Sequence, residues 1–399
     1  MRLPRGITRN VFILGVVSFF TDLSSEMLYP IVPLFITTVL GASPAVVGII
    51  EGLAETTASL LKIWSGWLSD RIGVRKPLVF AGYGLSALTR PLLATAHVWP
   101  TVLAARVLDR FGKGLRGAPR DALIADSVEA KYRGRAFGLH RSMDQSGAVF
   151  GPLLGVALLA WFAGDYRSVF LVAFIPSLLS TLTVAFAKEA PASEVRAPFR
   201  FRFREVSPGF RWFLAVIAVF SLGNSADAFL ILRARDLGAT TTQTLLMFAL
   251  FNAVYVLCAW PAGVLSDRIG RYRLFGAGLL VFALVYLGFG LAATAGQLWT
   301  LFPVYGLYMG ITDGISRAIV VDLASPEQRA TALGLYAAVV GIAAFPASAI
   351  AGALWTSAGA RAPFLFGSVM AASAAALFLF GRKEKRLPMP EHPEPSEGD

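Results

Sequence analysis

Gly66-Trp-Leu-Ser-Asp70-Arg71-Ile-Gly73 returns 197 residues later as Gly263-Val-Leu-Ser-Asp267-Arg268-Ile-Gly270. Each copy closes one long apolar run and opens another, with Arg75 and Lys76 after the first and Arg271 and Arg273 after the second. A second match keeps the order at an offset of 196: Asp126 and Arg133-Gly-Arg-Ala-Phe-Gly-Leu139 align with Asp322 and Arg329-Ala-Thr-Ala-Leu-Gly-Leu335. Two ordered matches at nearly one offset mark an internal duplication.

What is duplicated is a set of membrane spans. Of the 399 residues, 56% are hydrophobic and 15% charged, where soluble domains carry about 25% charged residues. A span needs roughly 20 mostly apolar residues. Twelve such runs fall near 11–39, 44–68, 77–96, 100–127, 137–163, 167–187, 211–233, 241–265, 274–295, 298–323, 330–357 and 362–381. The fold class is all-α and integral to the membrane. Residues 1–187 form a first six-helix bundle, 188–210 a linker, 211–381 a second bundle and 382–399 a tail. An even number of spans per repeat makes the repeats parallel. The fourth run is too charged for hydropathy alone to find. The first carries Asp22 and Glu26 and no cleavage site follows a short apolar core, so it reads as a retained span rather than a leader.

The net charge of +11 is topological. With the N-terminus in the cytoplasm, 23 of the 36 Lys and Arg lie in cytoplasmic segments and 4 on the opposite side. That bias places both termini inside and leaves no need for a nucleic-acid partner. The linker's basic and aromatic residues suit either the headgroup surface or plain solvent. One cysteine, Cys258, permits no disulfide framework. Short loops and the lack of an N-x-S/T sequon fit a bacterial inner membrane, with the chain acting as a monomer.

Charges within spans are the candidates for chemistry, because each costs about 2.5–3.5 kcal/mol in lipid. The fourth span carries Arg106, Asp109, Arg110, Lys113, Arg116, Arg120 and Asp121. At helical spacing these fall within roughly a 140° arc, which must face the protein interior. Asp22 and Glu26 share a face of span one at i and i+4, as do Glu51 and Glu55 in span two, with Lys62 two turns on. Burial favours the protonated form of an acid and a basic neighbour the ionised form. A cavity carboxylate between those limits can carry a proton, and a static charge-paired network is the plainer alternative. The second half holds Asp227 in span seven, an Asp313–Arg317 pair in span ten, and the apolar surface of Phe248, Phe251, Tyr255 and Trp260.

The chain resembles the major facilitator superfamily over essentially its whole length. That family's loop between spans two and three reads G-x-L-a-D-R-x-G-r-k, met here by Gly66, Leu68, Asp70, Arg71, Gly73, Arg75 and Lys76, with Val74 at one usually basic position. The second half repeats it with Gly263, Leu265, Asp267, Arg268, Gly270, Arg271 and Arg273. The resemblance implies a latch at the cytoplasmic rim, with Asp126 among its partners, that stabilises the outward-facing state. A simple topogenic loop is the alternative. It further implies that spans one, four, seven and ten line a central cavity. Arg110-x-x-Lys113-Gly114-x-Arg116-Gly117-Ala118 is similar to the family's R-x-x-Q-G-x-G-x-A pattern, whose Arg is tied to proton coupling. Lys113 and Arg116 depart from it and make the cavity more basic than usual. Gly147, Gly151, Pro152 and Gly155 match the G-x-x-x-G-P-x-x-G pattern of proton-coupled antiporters, which points to export, although such glycines also suit plain helix packing.

The expected function is therefore proton-coupled efflux of a small organic solute, anionic or zwitterionic. Asp22, Glu26, Glu51, Glu55 and Arg110 are the coupling candidates. Arg106, Arg110, Lys113, Asp313 and Arg317 are the substrate candidates. No cofactor is expected beyond the proton gradient. A proton symporter importing an organic anion is the alternative, and a passive channel or scramblase the alternative from another class. The Gly82-Tyr-Gly84-Leu-Ser-Ala87 stretch lacks the strand–helix context of a dinucleotide site. His140, Met143 and Asp144 are a weak metal set, and no arrangement of nucleophile and base suggests an enzyme.

Overall fold

The structure is a computed structural model that describes residues 7–189, 207–324 and 328–383. Most of the linker, the tail beyond Lys383 and the first six residues lie outside the described residues. The described chain is almost wholly helical and forms twelve spans. Span one is broken into α1 (Arg9–Leu28), α2 (Ile31–Leu34) and a π-helical turn, Phe35–Val39. Pro30 and Pro33 lack the amide hydrogens that would continue α1. Spans two to six are α3 (Pro44–Ile72), α4 (Lys76–Ala94), α5 (Trp99–Asp126), α6 (Arg133–Trp161) and α7 (Tyr166–Val184). Span seven is also broken, into α8 (Pro208–Gly223) and α9 (Ala228–Asp236). α10 (Thr241–Ile269), α11 (Arg271–Leu291), α12 (Ala295–Leu323), α13 (Arg329–Ala358) and α14 (Ala362–Lys383) complete the second half.

Local chemistry sets the ends. Pro44 and Pro208 occupy first turns, where a missing amide hydrogen costs nothing. Gly73 ends α3 in the left-handed region at φ +71°, which suits a residue without Cβ. Thr240 and Gln243 form a reciprocal capping box on α10. Asp165 caps α7, and bonds from the Ser168 hydroxyl and the Arg167 and Ser168 amides hold its carboxyl below the usual range.

The helices pair by one rule in both halves, as a duplication demands. α3 packs on α5 and α10 on α12, α4 on α7 and α11 on α14. Two seams join the halves, α3 against α13 and α6 against α10. The first is close-packed at glycines. A Cβ on Gly52 would meet the Phe345 backbone at 2.9 Å, and one on Gly352 the Ala45 backbone at 2.8 Å. The Thr56 hydroxyl donates to the Gly341 carbonyl at 2.7 Å.

Contact between the halves is concentrated away from the two GxLSDRxG turns. On the far face Gly48 of α3 meets the Ser348 backbone of α13 and the Phe229 ring of α9, Gly352 meets Ala45, and the Tyr166 hydroxyl reaches Thr241. On the face carrying the turns, α5 and α12 share no packing seam. Arg141 and Arg317 lie exposed there, as do Lys113 and Glu55 deeper in. The space between the halves thus opens on the turn face and is shut on the other.

Eight of the twelve spans are long and apolar enough to cross a membrane by composition. The other four are α3, α4, α5 and α12, which carry most of the intramembrane charge. The difficulty expected for span four extends to its neighbours.

Candidate transport pathway

The charged stripe of α5 does not form one cavity wall. Arg106 is buried and held by both oxygens of Glu51, Nε to Oε1 at 2.9 Å and Nη2 to Oε2 at 2.5 Å. Asp109 turns toward α4, where Arg90 donates to it at 2.8 Å. The remaining hydrogens of Arg90 go to Thr89, Ser24 and Ser25. Arg116 lies over the Tyr83 ring, 4.5 Å from its centre, and donates to the Ser86 hydroxyl at 2.6 Å. Arg120 pairs with Asp121 at 2.9 Å and reaches Ser18 on α1. Lys113 faces the open space with Arg110 beside it, and Asp121 keeps 38% of its side chain exposed nearer the mouth. Arg110 lies 3.7 Å from Glu55. Among the described residues Lys113 has no carboxylate within ion-pair distance, and it looks toward Glu55, Asp22 and Glu26.

Replacing a buried ion pair by apolar groups is often neutral, whereas removing one partner costs about 3–5 kcal/mol. The pairs Glu51–Arg106 and Arg90–Asp109 therefore act as a lock. They fix α3, α4 and α5 to one another and to α1. Arg90 is the residue that sequence reasoning missed. A lone arginine inside an apolar span was the available signal.

Asp22 and Glu26 are set by helix packing. The glycines of the antiporter-like pattern seat α6 on the α1 backbone at these two residues. A Cβ on Gly147 would lie 3.0 Å from the Asp22 Cβ, and one on Gly151 2.9 Å from the Glu26 Cβ. Gly155, beyond Pro152, meets Met27 and the α10 residue Leu245. Neither acid has an ion-pair partner among the described residues. Asp22 lies within hydrogen-bonding reach of Asp144 on α6. His140, one turn away, is bonded through Nε2 to the Ser18 hydroxyl at 2.8 Å.

The second half presents a different wall. Asp227 sits at the break between α8 and α9 and accepts from the Tyr305 hydroxyl at 2.7 Å. Around it stand Phe282, Tyr286, Tyr305 and Tyr308 in edge and stacked contacts. Phe248 and Phe251 are buried, Trp260 points outward, and Tyr255 donates to Asp313 at 3.0 Å. Arg317 donates to Asp313 at 2.8 Å. The Asp313–Arg317 pair thus lies on the second half at the open end, one helix away from α6.

The two turns differ in detail. In the first, Arg75 is buried, pairs tightly with Asp126 and lies 3.6 Å from Asp70. Gly66 lets α3 approach Ala118 of α5, and Arg71 rests over Trp67. In the second, Arg271 pairs with Asp322 at 2.7 Å and lies 3.6 Å from Asp267, all more open to solvent. Arg268 is exposed and Gly263 touches nothing outside its own helix. Gly270 adopts φ +92°. Among the described residues every ion pair at the turns stays within its own half.

Two parallel six-span bundles, a cavity open at one end and paired charges along its wall define a membrane carrier. The model of the Major Facilitator Superfamily matches residues 14–232 and 211–397, and the chain belongs to that family. An uncharacterized MFS-type transporter of Methanocaldococcus jannaschii is 35% identical over 383 residues, covering 94% of this chain and 96% of that one. The multidrug resistance protein MdtH of Cronobacter sakazakii is 28% identical over 318 residues, 77% of each chain. Among solved structures, a bacterial homolog of the human lysosomal transporter Spinster, inward-facing and unoccupied, superposes with a TM-score of 0.79. Its identity is 16%, over 96% of this chain and 98% of that one, so the likeness is one of fold.

Proposed function

We propose that this carrier exports a small organic solute in exchange for protons, with Asp22 and Glu26 as the proton-carrying groups. The observation that carries the reading is the seating of both acids against the glycines of α6, with no cationic ion-pair partner among the described residues. An unpaired carboxylate is free to take a proton, which the locked carboxylates Glu51 and Asp109 are not. Glu55, shared with Arg110, is available when Arg110 turns to a substrate. The multidrug-resistance name of the MdtH relatives supports export. The distribution of Lys and Arg puts the turn face in the cytoplasm, so the described state is open inward, with both termini inside.

The solute best suited to this wall carries both signs of charge. Lys113 and Arg110 are the cations at hand for its anionic group, since Arg106 is occupied by Glu51. Glu26, Asp227 and the tyrosines across the gap suit a positive group. Asp313 and Arg317 meet it nearer the mouth. The second-half turn and the Arg75–Asp70–Asp126 cluster act as the latch, changing partners when the cytoplasmic ends close.

The test is proton flux into liposomes holding the purified carrier and a pH-sensitive dye, under an imposed pH gradient. Pools of organic anions, zwitterions and lipophilic cations are added in turn. Zwitterion-dependent proton movement opposite to the solute is the expected result. Movement of solute and proton in one direction identifies a symporter instead. Asp22→Asn is expected to abolish driven transport and to spare exchange of solute for solute. Driven transport that persists in this variant removes Asp22 from the coupling. Asp70→Asn is expected to slow the cycle with unchanged solute preference, and altered preference contradicts a latch.

A further inference from the structure

One chain of polar contacts crosses from the first half to the second at the level of the open mouth. It begins at the Asp22–Asp144 carboxyl pair between α1 and α6. Arg141, one turn from Asp144, donates to it through Nη1 at 3.1 Å and to the Tyr255 hydroxyl on α10 through Nη2 at 3.3 Å. Tyr255 donates onward to Asp313 on α12, which Arg317 holds from its other oxygen. Arg141 is thus shared between the two halves across the α6–α10 seam.

We propose that Arg141 and Tyr255 are positioning residues that report the proton on the Asp22–Asp144 pair to Asp313 and Arg317 across the seam. The proposal rests on the proton-coupling reading above. Two carboxyl groups in contact present acceptor to acceptor unless one of them carries a proton. In this relay that proton belongs to the arrangement open at the turn face. With the pair protonated, Arg141 divides its donors between Asp144 and Tyr255. When the proton leaves, two like charges face each other and Asp144 draws Arg141 back to the first half. Tyr255 then loses its bond from across the seam, and α10 and α12 are freed to move against α6. The groups that face this chain are Glu26 on α1, Lys62 on α3, Lys113, Arg120 and Asp121 on α5, His140 on α6 and Tyr336 on α13. Gln145 lies beside Arg141, 2.8 Å from Nη2 when its amide oxygen is turned toward it. Glu26, Lys113 and Arg120 flank the carboxyl pair, Lys62 faces Arg141 and Arg317, and Tyr336 faces Asp313 and Arg317.

The sign suits antiport. The proton stabilises the state open to the cytoplasm, where it is released, and its loss favours closing that side. A ligand shifts such an equilibrium only as far as it interacts differently with the two states, and Arg141 supplies the differential contact.

The experiment uses the full chain in nanodiscs with no solute added. Cys258→Ser removes the native thiol, and spin labels at Ile72→Cys and Ile269→Cys mark the cytoplasmic ends of α3 and α10. Distance distributions are recorded from mildly acidic to mildly alkaline pH. Wild type is expected to shift from the long to the short distance as pH rises, and Asp22→Asn to keep the long distance throughout. Tyr255→Phe and Arg141→Gln are expected to lose the pH response while keeping their melting temperatures in detergent. If both variants follow the wild-type response, the relay is overturned and the role of Asp22 stands. A lowered melting temperature with an intact pH response makes Tyr255 merely structural and overturns the relay as well. If wild type is unresponsive, or Asp22→Asn responds as wild type does, the proton-coupling reading fails and the relay fails with it.

Discussion

The two walls of the cavity are made of different material, although one duplication produced both. The first half is held by ion pairs: Arg90–Asp109 and Arg106–Glu51 cross between helices, and Arg120–Asp121 closes on itself within α5. The second half is held by rings, with Phe220, Phe282, Tyr286, Tyr305 and Tyr308 in mutual contact. Helix pairing is the same in both, so backbone geometry survived while the side-chain cement diverged. Charges that must find partners fix helix orientation but leave some acids spare for chemistry. Rings fill volume tolerantly and leave a surface suited to varied solutes.

The largest expected effect comes from breaking the first wall. Arg90→Ala leaves Asp109 buried without its partner and is expected to cost about 3–5 kcal/mol. The double variant Arg90→Met, Asp109→Leu is expected to recover most of that loss in thermal unfolding. Phe282→Ala is expected to cost about the same, 3–5 kcal/mol, with no such rescue available because a cavity remains. If the charge pair cannot be rescued and the ring can, the comparison is wrong.

The turns extend the contrast on a smaller scale. Arg75→Ala strands the buried Asp126 and is expected to cost roughly 3 kcal/mol. Its counterpart Arg271→Ala removes a solvent-exposed pair and is expected to cost about 0–1 kcal/mol. Equal costs in a melting assay would mean that burial does not separate the two turns.

The smallest effects concern two caps on the face away from the turns. Thr240→Ala breaks the α10 capping box and is expected to cost about 1 kcal/mol at every pH. Asp165→Ala is expected to cost about as much at neutral pH. The Asp165 carboxyl titrates below the ordinary aspartate value in the folded chain. Its contribution is thus complete above that ordinary value and is lost as pH falls through the lowered one. In strong acid the wild type and the variant should melt alike, and a difference that persists there contradicts the cap.

Much of this was legible in the chain. Apolar runs of span length and two ordered repeats suffice for twelve spans in two halves, because lipid forces each run to be a helix. The i, i+4 acids Asp22 and Glu26 were legible for the same reason. What was not legible is the choice of partner. The arc of α5 looks continuous on a helical wheel, yet it faces α3, α4, α1 and the cavity in turn. Glu51 and Arg106 meet only because α3 crosses α5 at that height. Tyr255 passed for one more packing ring, and its role depends on Arg141, 114 residues away. The break at 224–227 carries no proline, and its local signs are Gly223 before it and three polar residues, Asn224, Ser225 and Asp227.

The glycine seam between α3 and α13 makes height along the membrane a mutational coordinate. A methyl group at Gly352 or Gly48 runs into backbone on the shut face, so it acts as a wedge against the described state. The same methyl at Gly341, nearer the open mouth, meets the Ser59 Cβ, so the seam is closed at that height too. Alanine walked down one seam would then report where the two halves are pressed together without altering any group that touches a proton or a solute.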